Sequence, residues 1–210
     1  MDSADTTPDA ASGSTEDVSR VAALTDGVVA IAITLLVLDI AIPEIPNALV
    51  DNELADALWQ LRPQVFGFVL SFGVIAYYWL SHRLVFSHLR RIDGPLVIIN
   101  LIFLLAIAFI PFVAGLLADY VPNGLAVACY SGVMAMAGLT LLAMVAYPKA
   151  KGHFHPNVPL AHVSMITRKM AVAPIVYLIA VPVAFLNGWL ALATTALIPL
   201  LRTAIGKRSS

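Results

Sequence analysis

"RVAALTDGVVAIAITLLVLDIAIP", residues Arg20 to Pro43, is apolar enough to cross a bilayer, yet it keeps Asp26 near one end, Thr34 mid-way and Asp39 near the other. About 20 apolar residues wound as a helix rise about 30 Å, the thickness of a hydrocarbon core. In that medium a carboxylate or hydroxyl persists only where it finds partners or an aqueous path. What these three side chains meet therefore decides how the helix is used.

The whole chain has the same character. Hydrophobic residues make up 60% and charged residues 12%, and the mean hydropathy is +0.89, outside the range of water-soluble domains. The fold class read from this is an all-α integral membrane protein. Cys129 is the single cysteine, so no intrachain disulfide can form; in its apolar run it reads as a small inert hydrophobe. Residues 1–17 are small, polar and acidic and lack the basic start of a secretory signal, which predicts a disordered cytoplasmic tail. Residues 18–206 read as one six-helix transmembrane domain and 207–210 as a short basic tail.

The six expected spans run from about Val18 to Ile42, Arg62 to Phe86 (with an interfacial lead-in from Glu53), Gly94 to Tyr120, Gly124 to Tyr147, Ile166 to Leu186 and Gly188 to Ile205. Charge sorts accordingly. Arg83, Arg90 and Arg91 fall between spans two and three, Lys149, Lys151, Arg168 and Lys169 between four and five, and Arg202, Lys207 and Arg208 after six. The opposite side carries Glu44, Asp51, Glu53, Asp56 and Asp119, with Arg62 its only base. The positive-inside rule then gives a multi-pass membrane protein with both termini cytoplasmic.

On the first helix, Ile31, Thr34, Leu35 and Leu38 follow i, i+3, i+4, i+7 spacing, and Asp39 stands four residues past Leu35. Ala30, Ile33 and Val37 mark the opposite, packing stripe. Two readings fit. The apolar stripe is a packing surface, with Thr34 bonded back to its own helix. Alternatively, several copies surround an axis: Ile31, Leu35 and Leu38 form apolar rings about 10 Å deep, Thr34 forms a polar collar and Asp39 concentrates cations at the outer mouth. The second reading requires oligomerisation.

Asp26 must be compensated. Arg20 and Thr25 on helix one, Trp79 and His82 on helix two and Asn100 on helix three share its depth, which predicts an interhelical polar network. It serves either as framework or in gating and proton sensing.

Arg20-x-x-x-Leu24-Thr25-Asp26-Gly27 followed by "VVAIAITLLVLDI" resembles the first helix of the bacterial transmembrane protein 175 family, related to the lysosomal potassium channel of animals. "SFGVIAYYWLSHRLVF" and "INLIFLLAIAFIPFVAGLL" are similar to its second and third helices, so the likeness runs from about Arg20 to Leu117. Leu24 and Thr25 stand where the family has Phe and Ser. The resemblance implies a homotetrameric potassium-selective channel with helix one lining a central pore. It aligns Ile31 with the isoleucine constriction, Thr34 with the filter threonine, and Leu35 and Leu38 with further pore layers. Its expected partners are membrane lipids, other copies of the chain and permeant potassium ions, with no cofactor.

Enzyme chemistry has little footing: there is no P-loop, dinucleotide fingerprint, zinc array or nucleophile elbow. His153, His155 and His162 in "KGHFHPNVPLAH" read as a solvated loop without a metal. "RLVFSHLRR" reads as an anchor for anionic lipid and not for nucleic acid. No arginine repeat of a voltage sensor is present. The expected function is a leak-like, potassium-selective cation channel. A proton channel or proton-coupled transporter using Asp26 and His82 is the alternative, followed by a non-conducting scaffold.

Overall fold

In the computed structural model, which describes residues 10–46, 50–195, 197, 198 and 201, the chain winds into α1 (Ala10–Leu35), a 3-10 turn (Leu36–Asp39), α2 (Val50–Gln60), α3 (Arg62–Phe86), α4 (Gly94–Tyr120), α5 (Gly124–Lys151), α6 (Leu160–Leu186) and α7 (Gly188–Thr195). The breaks follow local chemistry. Asp93 accepts from the Leu96 amide at 3.2 Å, and Pro95 follows where no donor is needed. Asn123 takes the Leu125 and Ala126 amides at 2.9 and 3.3 Å to start α5. Gly152, at φ 67°, ends it in the left-handed conformation glycine tolerates.

Among the described residues five helices are long and apolar enough to cross a membrane: Glu16–Asp39, Arg62–Phe86, Gly94–Tyr120, Gly124–Lys151 and Ala161–Leu186. The protein is a multi-pass membrane protein. The expected sixth span begins as α7; beyond Thr195 only positions 197, 198 and 201 are described, so the rest of it lies outside the described residues. So do the basic residues of the expected C-terminal tail. Two expected boundaries on helix one shift. The helix starts at Ala10, within the segment read as a tail: although Ser12, Gly13, Ser14 and Thr15 are weak helix formers, a helix already formed extends without a new nucleation cost. It also tightens to 3-10 winding at Leu36 instead of continuing to Ile42.

In lipid, burying apolar area between helices gains little, so close packing of small residues and interhelical bonds must hold them. α5 supplies both. Its Gly138 lies so close to α6 that a Cβ there would stand 2.9 Å from Pro174. Met134 accepts from the Tyr78 hydroxyl of α3 at 2.7 Å. In the most apolar stretch of each helix 56% of positions are buried in α5 and 50% in α4, against 28% in α3 and 22% in α1. α1 is therefore a peripheral helix, docked on α4 and α3 by one face.

At the basic end of the bundle the α3–α4 and α5–α6 connections clasp each other. Leu89 and Phe154 form an antiparallel bridge, the Arg90 amide donates to His153 O at 2.8 Å and the His155 amide to His88 O at 3.0 Å. The Tyr147 hydroxyl donates to Asp93 Oδ2 at 2.6 Å, and His153 Nε2 lies 3.8 Å from the same oxygen. His153 is thus buried, contrary to the solvated-loop expectation, whereas His155 and His162 are exposed. A contact between loops so distant in sequence leaves no local signal.

The clasp responds to acid. Burial pushes Asp93 up, but the Tyr147 hydroxyl, the Leu96 amide and His153 outweigh it and hold the carboxyl below its ordinary range. Burial lowers His153; Asp93 opposes this, and Arg91, Lys151 and Arg90 reinforce it. Asp93 contributes stability that is lost as pH falls through its depressed folded value. His153 stays neutral in the fold, so its cost grows as pH drops below the ordinary 6.5 and the unfolded chain protonates first. Between about pH 7 and about pH 5 it is therefore His153 that loosens the clasp, and Asp93 adds its own loss only in stronger acid, below its ordinary 3.8. Amide exchange at Arg90 and His155, the two bonded amides of the clasp, should accelerate once corrected for intrinsic rate, and His153→Asn should remove the acceleration that begins near pH 6.5.

Candidate functional site

Thr25 on α1, His82 on α3 and Asn100 on α4 are all buried, and they meet at one point. Asn100 Nδ2 donates to Thr25 Oγ1 at 3.1 Å, and Asn100 Oδ1 lies 2.9 Å from His82 Nε2. With the Nε2–H tautomer the protons are consistent: the imidazole and amide each donate once, and the threonine hydroxyl donates on to Val21 O at 3.1 Å. Phe86 and Phe103 stack on the imidazole with centroids 4.0 and 5.5 Å away, fixing its plane. This junction pins α1 to both neighbours.

Asp26 is exposed and forms a separate pair, with Trp79 Nε1 donating to its Oδ1 at 2.6 Å. Arg83 lies over the Trp79 ring at 5.7 Å. The expected network is therefore a buried trio plus an exposed pair. Arg20, expected within it, is exposed and joins neither: at about 100° per residue it falls on the far side of α1 from Thr25.

The same arithmetic explains the rest of α1. Thr25, Val29, Ala32 and Leu36 fall on one line and are buried. This, and not the expected Ala30, Ile33 and Val37, is the packing face; Ala30 and Val37 are exposed. Thr34 stands half a turn away, flanked by Ile31, Leu35 and Leu38, which are 61%, 43% and 73% exposed. The stripe singled out in the sequence is thus the uncovered face of α1. The Thr34 hydroxyl donates to Ile31 O at 2.8 Å, an i−3 bond, which leaves its oxygen lone pairs toward the open side.

Asp39 departs from the stripe. Continued as an α-helix it would stand beside Leu35; at three residues per turn it stacks over buried Leu36 instead. Its carboxyl faces α4, where a Cβ on Gly115 would lie 3.2 Å from its carbon. A pocket lined by Asp39, Gln64, Phe68 and Gly115 lies there, and Gln64 Oε1 within it is buried without a partner. Glycine at 115 is the local signal for this contact, legible only once α4 is known to pass here. Among the described residues no group of three or more His, Cys, Asp or Glu could hold a metal.

A family model described as the endosomal/lysosomal potassium channel TMEM175 matches residues 20–111. A potassium channel of Streptomyces collinus is 36% identical over 188 residues, 86% of this chain and 89% of that protein. The crystal structure of a lysosomal potassium-selective channel TMEM175 homolog from Chamaesiphon minutus superposes with a TM-score of 0.74 at 29% identity, covering 93% of this chain and 99% of that one. An endosomal/lysosomal proton channel TMEM175 of Danio rerio is 26% identical over 68% of this chain, which spans 26% of the fish protein.

The junction and the stripe should separate on mutation. Asn100→Ala leaves Thr25 and His82 buried with a lost partner and is expected to cost about 1–3 kcal/mol. Thr34→Ala removes an exposed hydroxyl and should leave the melting temperature nearly unchanged. Thermal unfolding of both variants in one detergent checks the ranking.

Proposed function

Since this chain belongs to the TMEM175 potassium-channel family, a channel family and not an enzyme family, we propose that it is a potassium-selective, non-voltage-gated channel in which α1 of four identical subunits lines a central pore. The carrying observation is the two-faced burial of α1: one line is fixed to the subunit, and the opposite line of Ile31, Thr34, Leu35 and Leu38 is uncovered. Four subunits bring those lines together around an axis. Ile31 closes the passage with aliphatic side chains, which exclude water unless the ring widens. Leu35 and Leu38 extend the dry section toward the outer end.

Selectivity follows from dehydration. An aliphatic ring offers no ligands, so the ion that sheds water at lower cost passes, and potassium is that ion. The four Thr34 hydroxyls, with their hydrogens tied to Ile31 carbonyls, present oxygens to the partly dehydrated ion. Asp39, turned toward α4, acts on arriving cations through its field alone. Both termini lie on the cytoplasmic side, where the basic connections gather.

The name of the fish relative keeps proton conduction as a second reading, with Asp26 and His82 as its titratable groups. In this subunit they sit in different clusters, Asp26 bonded to Trp79 and His82 to Asn100. That separation favours the potassium reading.

Purified protein in planar bilayers with potassium on one side and sodium on the other should reverse near the potassium equilibrium potential. Reversal that follows a pH gradient overturns this in favour of protons, and silence from folded protein favours a scaffold. Ile31→Ala should raise conductance several-fold. Thr34→Ala should move the reversal potential toward zero while conduction persists; an unchanged potential removes Thr34 from selectivity.

A further inference from the structure

We propose that the groove between the basic ends of α5 and α6 is a binding site for the headgroup of an anionic phospholipid. A cavity of about 670 Å³ lies there. α6 contributes Ser164, Thr167 and Arg168, and α5 contributes Lys149, with Ala146 and Ala171 leaving the room between the helices. Each set falls on one face of its helix by i, i+3, i+4 spacing. Lys149 Nζ donates to Ser164 Oγ at 3.2 Å, which bridges the groove and holds the ammonium over it.

The charge is uncompensated. After Asp119 the chain contains no Asp or Glu, so α5, α6 and their connection hold no carboxylate for Lys149, Lys151, Arg168 or Lys169. Asp93, the acid that reaches α5 from another element, is engaged by Tyr147 and His153. A phosphodiester fits this rim, because a guanidinium and an ammonium both donate charge-assisted hydrogen bonds to its oxygens.

The length of the two faces selects a lipid over free phosphate. Continued toward the membrane interior, they carry exposed Leu139 on α5 and exposed Ile175 and Leu178 on α6. A polar rim thus opens onto an apolar track, as an amphiphile requires, at the depth where spans Gly124–Lys151 and Ala161–Leu186 end. Basic pockets between transmembrane helices recognise anionic headgroups in this way.

The test is native mass spectrometry of the full-length protein in detergent, titrated with phosphatidylglycerol or phosphatidylcholine. The expected result is retention of phosphatidylglycerol and not phosphatidylcholine, weakened about tenfold by Lys149→Gln with Arg168→Gln. Arg62→Gln, at the opposite end of α3 from the basic connections, should leave retention unchanged. Arg168→Gln alone gives the same sign at smaller size if the double variant does not fold. Equal retention of the two lipids, or retention indifferent to the variants, overturns the proposal. Displacement by millimolar inorganic phosphate reassigns the groove to a free anion, and a changed oligomer mass in the variant reassigns it to a subunit contact. The readout is lipid retention, so it stands or falls separately from conduction.

Discussion

An amide buried in an apolar bundle has no water to satisfy it, and Asn100 meets that constraint by taking one partner from α1 and one from α3. Three helices are thereby fixed at one depth and one rotation. Threonine at 25 matters through this geometry: its hydroxyl accepts from Asn100 and donates into its own helix, filling both roles without a water. Because Thr25, Val29, Ala32 and Leu36 share a line, fixing Thr25 also fixes which side chains of α1 remain outside. The orientation of the proposed pore face is a consequence of a hydrogen-bonded junction on the other side of the same helix.

Winding sets the second constraint. The change from α to 3-10 at Leu36 carries Asp39 from the open face to the core-facing one, while Leu38 stays outside. The chain places an acid at the outer end of α1 without placing it in line with the apolar stripe. Gly115 leaves the carboxyl room, since a Cβ there would stand 3.2 Å from it and oblige it to shift slightly.

Much of this is written in the sequence, and unevenly. α3 and α4 are bounded as expected because Pro63, Asp93, Gly94 and Pro95 carry their own start signals. Thr25, Asp26, Trp79, His82 and Asn100 could be grouped by depth alone, because polar side chains are rare enough in apolar spans to find one another. Depth does not give azimuth, which is why one network proved to be two and Arg20 belonged to neither. The tightening at Leu36 has no glycine or proline to announce it. Burial of His153 depends on a bridge between loops with all of α4 and α5 between them. The paired faces of the subunit in an assembly are likewise invisible to one chain, since a stripe does not count its copies.

The clasp at Leu89 and Phe154 has a mechanical meaning. α4 and α5 are joined covalently by a short turn at one end, and the clasp ties the connections at the other, so this pair is braced top and bottom like a closed frame. α6 is bolted to that frame along its length through the glycine–proline contact at Gly138 and Pro174. α1 lies outside the frame and leans on it through a single junction and a narrow line of small and branched side chains. The span with the least burial is thus also the one whose open line faces the axis in the proposed assembly.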